Sequence, residues 1–74
     1  MPISSAQRSP EPSRDALDAN RRGVALRSLG RFAEAAEAFR EAVGAQPDLP
    51  ELHANLAMTL VDLGNLEEAL QEFD

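Results

Sequence analysis

The chain has no cysteine, tryptophan, tyrosine or lysine. Without cysteine it can form neither a disulfide nor a thiolate metal site. A lone histidine, His53, cannot by itself build a histidine-based metal centre. No apolar run approaches the ~18 residues of a membrane span. The opening stretch Met1-Pro2-Ile3-Ser4-Ser5-Ala6-Gln7-Arg8 lacks the apolar core of a signal peptide. The expected location is therefore cytoplasmic. Strand signals are also missing: no segment alternates with period two, and β-branched residues are sparse. Glycines occur singly, so there is no phosphate-cradling loop.

The 74 residues allow one small domain. A chain of this size buries only about 60% of its unfolded surface, enough for a modest core and too little for a large catalytic cleft. Net charge is −6, unevenly spread. Residues 1–40 hold all seven Arg against five acids, for +2, whereas residues 41–74 hold eight acids and no base, for −8. An acidic chain without a basic stripe is a poor nucleic-acid binder. It also lacks the basic amphipathic face that would dock on an anionic membrane. Neither partner is expected.

Residues 1–12 hold Pro2, Pro10 and Pro12 together with Ser4, Ser5 and Ser9, which reads as a disordered tail. From Ser13 the period turns helical, giving an all-α domain over residues 13–74 with four helices. Ser13 is the expected N-cap of the first helix, with Asp15 in its first turn. Leu17, Val24, Leu26 and Leu29 supply its apolar face, and Gly30 stops it. The second helix spans Phe32 to Ala45, with Phe32, Ala35, Ala36, Phe39, Ala42 and Val43 at helical spacing and Pro47 beyond its end. Ala38 is placed on a less crowded face. Asp48 caps the third helix, with Glu51 completing a capping box and Pro50 in the first turn. Leu52, Leu56, Leu60 and Leu63 face inward there, and Gly64 ends it. Asn65 caps a fourth helix whose inward residues are Leu66, Ala69, Leu70 and Phe73.

Self-comparison at an offset of 34 aligns residues 16–40 with 50–74 without gaps. Leu26/Leu60, Leu29/Leu63, Gly30/Gly64, Glu34/Glu68, Ala35/Ala69 and Phe39/Phe73 are identical. Gly23/Ala57, Val24/Met58 and Phe32/Leu66 are similar. The matches fall on small and large apolar positions, as expected of a shared packing plan. Gly23 or Ala57, and Ala35 or Ala69, lack bulk and let paired helices approach to the ~8 Å end of helix spacing. Phe39 or Phe73 then fills the volume further along.

A 34-residue helix–turn–helix with this spacing resembles the tetratricopeptide repeat. The first repeat would run over 16–49, carried by Gly23, Leu26, Gly30, Ala35, Phe39, Ala42 and Pro47. A partial second would run over 50–74, carried by Leu56, Ala57, Leu60, Gly64, Ala69 and Phe73. Two positions depart from the family pattern: Ala19, where it favours a large aromatic, and Arg22, where it favours Leu. The second repeat also stops before the family's final Ala and Pro. Leu56, Leu60, Leu63, Leu66 and Phe73 are then expected to be partly uncovered at the C-terminal end, a surface through which the chain could self-associate.

The resemblance implies an α-solenoid scaffold for protein–protein interaction. It would take a peptide or partner helix on a concave surface, without catalysis, cofactor or metal. Asn20, Val24, Arg27, Asn55, Met58 and Asp62 are the candidate partner-binding residues, with Leu17, Ser28, Glu51, Ala54 and Val61 completing the surface. In family members an Asn at the Asn55 position often bonds a bound peptide's backbone, and the same amide can instead satisfy a neighbouring helix. The clamp of the chaperone-binding subfamily is incomplete, with Asn20 and Val24 at the partner positions. An alternative is that these repeats form the N-terminal part of a longer enzyme, such as a protein O-glycosyltransferase with such repeats. His53 is expected to be a packing residue. The pairs Glu34/Glu37 and Glu67/Glu68 are expected to complement helix N-termini rather than to catalyse.

Overall fold

The computed structural model describes residues 12–65, 68, 71 and 72. Three helices lie in that span: α1 (Arg14–Ser28), α2 (Phe32–Ala45) and α3 (Pro50–Asp62). No strand occurs among the described residues. Glu68, Gln71 and Glu72 have helical backbone, consistent with a fourth helix. Its expected inward residues Leu66, Ala69, Leu70 and Phe73, like all of the 1–12 tail except Pro12, lie outside the described residues.

The helix boundaries follow from their caps. The Ser13 hydroxyl accepts from the Ala16 N–H at 3.2 Å, satisfying one of the orphan amides of the first turn. At the other end of α1, Gly30 adopts φ +77°, a left-handed conformation that costs a glycine nothing. Arg31 N–H then donates to Leu26 O at 2.9 Å and Gly30 N–H to Arg27 O at 3.0 Å, the paired bonds of a Schellman motif. The same motif recurs after α3. Gly64 has φ +84°, Asn65 N–H donates to Leu60 O at 2.8 Å, and Gly64 N–H donates to Val61 O at 2.9 Å. All four residues of each motif are displaced by 34 positions, so the sequence repeat is also a repeat of backbone geometry.

The start of α3 corrects one expectation. Its N-cap is Leu49, not Asp48, and no side chain caps it. Pro50 occupies the first helical turn, where its missing N–H is no loss. This sets the cap one residue later than the Asp48 reading.

Each junction is an antiparallel hairpin. Ser13 N–H bonds the Gln46 side chain and Arg22 pairs with Glu41, so the start of α1 lies against the end of α2. Helix α2 is the middle element and packs on both α1 and α3. Two clusters form the core. One joins Ala35, Ala36 and Phe39 of α2 to Leu56 and Leu60 of α3, with Leu26 packed against it. The other joins Ala16 and Ala19 of α1, Ala42 of α2, and Leu49 and Leu52. Val43 packs against both.

The buried face of α1 is not the one its large apolar residues suggest. Ala16, Ala19 and Gly23 are its buried residues, whereas Val24 is 48% and Leu29 71% exposed. Leu17 and Leu26 are half-buried. The reason is closeness: α1 meets α2 along small residues because a large ring from α2 fills the space. A Cβ built on Gly23 would lie 2.6–2.8 Å from three atoms of the Phe39 ring. Phe39 itself is almost completely buried. Two further expectations change for related reasons. Ala38 is buried rather than on an open face. Leu56 and Leu60, expected to be partly uncovered, are sealed against Ala35, Ala36 and Phe39, while Leu63 is exposed.

Two glycine substitutions separate packing from helix propensity. Gly23→Ala should destabilise by about 1–2 kcal/mol, because overpacking against a buried ring outweighs the ~1 kcal/mol that Ala ordinarily gains over Gly in a helix. Gly44, also helical, has nothing within 4 Å of its built Cβ. Gly44→Ala should stabilise by up to about 1 kcal/mol. Denaturant melts of the two variants should therefore move in opposite directions; shifts of the same sign would contradict the Gly23–Phe39 contact.

Candidate functional site

Helices α1 and α3 both lie against α2 and run in the same direction, so their free faces adjoin. Asn20, Val24 and Arg27 fall at i, i+4 and i+7 on α1, and Asn55, Met58 and Asp62 at i, i+3 and i+7 on α3. Both sets are single helix faces. The structure brings the two faces together at each end. The Asn55 side-chain amide donates to Asn20 Oδ1 at 2.8 Å. Two guanidinium nitrogens of Arg27, Nε and one terminal nitrogen, each lie 3.0 Å from Asp62 Oδ2.

Between these two bridges lie Val24 and Met58, 48% and 46% exposed. Large side chains so accessible on a small core have no packing duty there. The six candidate residues therefore form one continuous strip, an amide pair at one end, an ion pair at the other and two apolar side chains between. Val61, 46% exposed, extends the apolar part. Leu17 and Ala54 are half-buried beside it, and Glu51 is exposed. Ser28 is exposed, and its hydroxyl donates back to Val24 O at 3.0 Å.

Asn55 does satisfy a neighbouring helix. It nevertheless spends only one of its N–H groups on Asn20, and its Oδ1 and second N–H have no partner among the described residues. An amide with both a donor and an acceptor to spare can meet a peptide backbone. The Asn55 backbone is occupied from within α3: its carbonyl accepts from the buried Thr59 hydroxyl at 2.8 Å.

Comparison with known proteins now bears on this geometry. The tetratricopeptide repeat family model matches residues 26–74. The chain belongs to the tetratricopeptide repeat family. Among solved structures, that of a MamA point mutant aligns with a TM-score of 0.75 at 40% sequence identity, over 78% of this chain and 42% of that one. This tetratricopeptide chain thus spans less than half the length of that neighbour. No curated protein matches it. Among the described residues, no helix is long and apolar enough to cross a membrane.

One member of each acidic pair is ion-paired. Glu34 lies 3.5 Å from Arg31 in the first turn of α2, and Glu68 lies 2.6 Å from Arg40. Glu37 is exposed, and Glu67 lies outside the described residues. His53, expected to be a packing residue, is tied into the fold by hydrogen bonds. It sits off the strip, half-buried, with each ring nitrogen on an oxygen: Nε2 is 2.6 Å from Pro47 O, and Nδ1 is 2.9 Å from Glu72 Oε1. It lines a cavity of about 570 Å³ with Pro47, Asp48, Pro50, Ala54, Gln71 and Glu72. Sequence reasoning missed this arrangement because Glu72 lies 19 residues away, and no local spacing signals it.

A double-mutant cycle tests the amide bridge. Asn20→Ala and Asn55→Ala should each lower stability, with a coupling of roughly 0.5–1.5 kcal/mol between them. Strict additivity would mean that the Asn20–Asn55 bond is not formed.

Proposed function

We propose that this tetratricopeptide chain is a protein-interaction module that takes a peptide or a partner helix on the strip between α1 and α3, and that it has no catalysis of its own. One observation carries the reading: two cross-helix bridges bracket a pair of exposed apolar side chains. That arrangement supplies the usual makings of a peptide site. Val24 and Met58 offer apolar area, and a thioether side chain adapts to differently shaped partners. The Asn20–Asn55 pair offers hydrogen bonds to a backbone at one end. The Arg27–Asp62 pair offers both charges at the other.

The energetics suit modest affinity. The partly exposed Arg27–Asp62 pair contributes about 0–1 kcal/mol of its own, so a ligand that exchanges with it meets little resistance. The two apolar residues are where burial would gain most, at about 25 cal/mol for each Å² covered.

A displayed random-peptide library panned against the full chain supplies a probe, whatever the natural partner. The enriched peptide is then titrated against the wild-type protein and Met58→Asp. Affinity should fall at least tenfold, or about 1.4 kcal/mol, while circular dichroism and the thermal midpoint stay close to wild type. Glu37→Lys, on the exposed side of α2, should leave affinity unchanged. Loss of binding in Glu37→Lys but not in Met58→Asp would place the site elsewhere and refute the proposal.

A further inference from the structure

His53 meets two oxygens that can only accept. Pro47 offers a main-chain carbonyl at 2.6 Å from Nε2, and Glu72 a carboxylate at 2.9 Å from Nδ1. A neutral imidazole has one N–H and one lone pair. It can donate to one of these oxygens and must then turn its lone pair on the other. Only the imidazolium, with two N–H groups, satisfies both. The proton belongs on the ring, because a carboxylic acid is ordinarily the stronger acid by about two pH units.

The three groups come from three parts of the fold: the α2–α3 connection, α3 itself and the helical turn carrying Glu72. Bound together, they close one wall of the cavity beside α3. We propose that His53 is a pH-governed clamp, closed when protonated, that fastens the turn carrying Glu72 and the Pro47 loop to α3. The geometry does not depend on the peptide-site reading above.

The surroundings support the closed form. The titratable neighbours lining the cavity are Asp48 from the loop and Glu72 from the helical turn, and no described residue there is basic. Glu72, bonded to the ring, favours its positive form. The His53 pKa is held above its ordinary value of 6.5, first by the Pro47 carbonyl and then by Glu72, against a smaller opposing effect of burial. The sign of the pH dependence follows. The folded state holds this proton more tightly than the unfolded chain does. The clamp's stabilisation is therefore complete below about pH 6.5 and is lost as pH rises through the higher folded value. Above that value one of the two bonds must break.

Because His53 is the sole histidine, imidazole nitrogen-15 NMR of the full chain reads it without ambiguity. At pH 5.5 both ring nitrogens should carry bonded protons, and the titration midpoint should lie above 6.5. In Glu72→Gln, which keeps the size of the side chain and removes its charge, the midpoint should fall toward 6.5. The thermal midpoint of the wild type should drop between pH 5.5 and 8.5; that drop should shrink in Glu72→Gln, where the Pro47 bond remains, and vanish in His53→Gln. A wild-type midpoint at or below 6.5 would overturn the clamp. So would a wild-type melting drop that both variants retain in full.

Discussion

The structure depends on one close contact, the Phe39 ring seated against Gly23. The ring leaves no room for a Cβ on α1 at that point. On its other side it belongs to the same buried cluster as Leu56 and Leu60 of α3. A single side chain of α2 therefore sets the distance to both neighbours. Burying a Phe contributes about 1.5–3 kcal/mol, a large share of what so small a core can supply. The small residues Ala16, Ala19, Ala35, Ala36 and Ala42 follow from it, since helices held this close leave no space for longer side chains.

The same constraint shapes the face proposed to bind a partner. Because α1 buries alanines and a glycine at its closest approach, Val24 is left on the open side while Leu17 and Leu26 are only half-buried. Val24 is exposed for that reason, and so is its counterpart one repeat on, Met58. In most small domains such residues would be core. Here α2 sits behind both helices and brings α1 and α3 near enough for Asn20 to reach Asn55 and Arg27 to reach Asp62. The strip is a by-product of tight packing elsewhere, which is how a repeat can keep its fold while the residues on its free face vary.

The most legible features in the sequence are those set by local chemistry and by periodicity. The offset of 34, the Ser13 cap and the two stopping glycines all reappear in the structure, and Gly30 and Gly64 close their helices with the same hydrogen bonds. The strip residues are legible only through the family resemblance; what the structure adds is that Asn20 meets Asn55 and Arg27 meets Asp62. The buried face of α1 is not, because hydrophobicity ranks Val and Leu above Ala and Gly, and so favours the residues that close packing excludes. Asp48 misleads because Pro50 decides where the helix begins. The environment of His53 is invisible in the sequence, since Pro47 and Glu72 reach it only through the fold.

The central claim is that the Phe39 ring lies directly over Gly23. Proton NMR reads this without any substitution, because a proton above an aromatic face is shifted upfield by the ring current. The account predicts an upfield-shifted Gly23 Hα and strong cross-relaxation between it and the Phe39 ring protons. A Gly23 Hα at its ordinary helical position, with no cross-relaxation to Phe39, would contradict it.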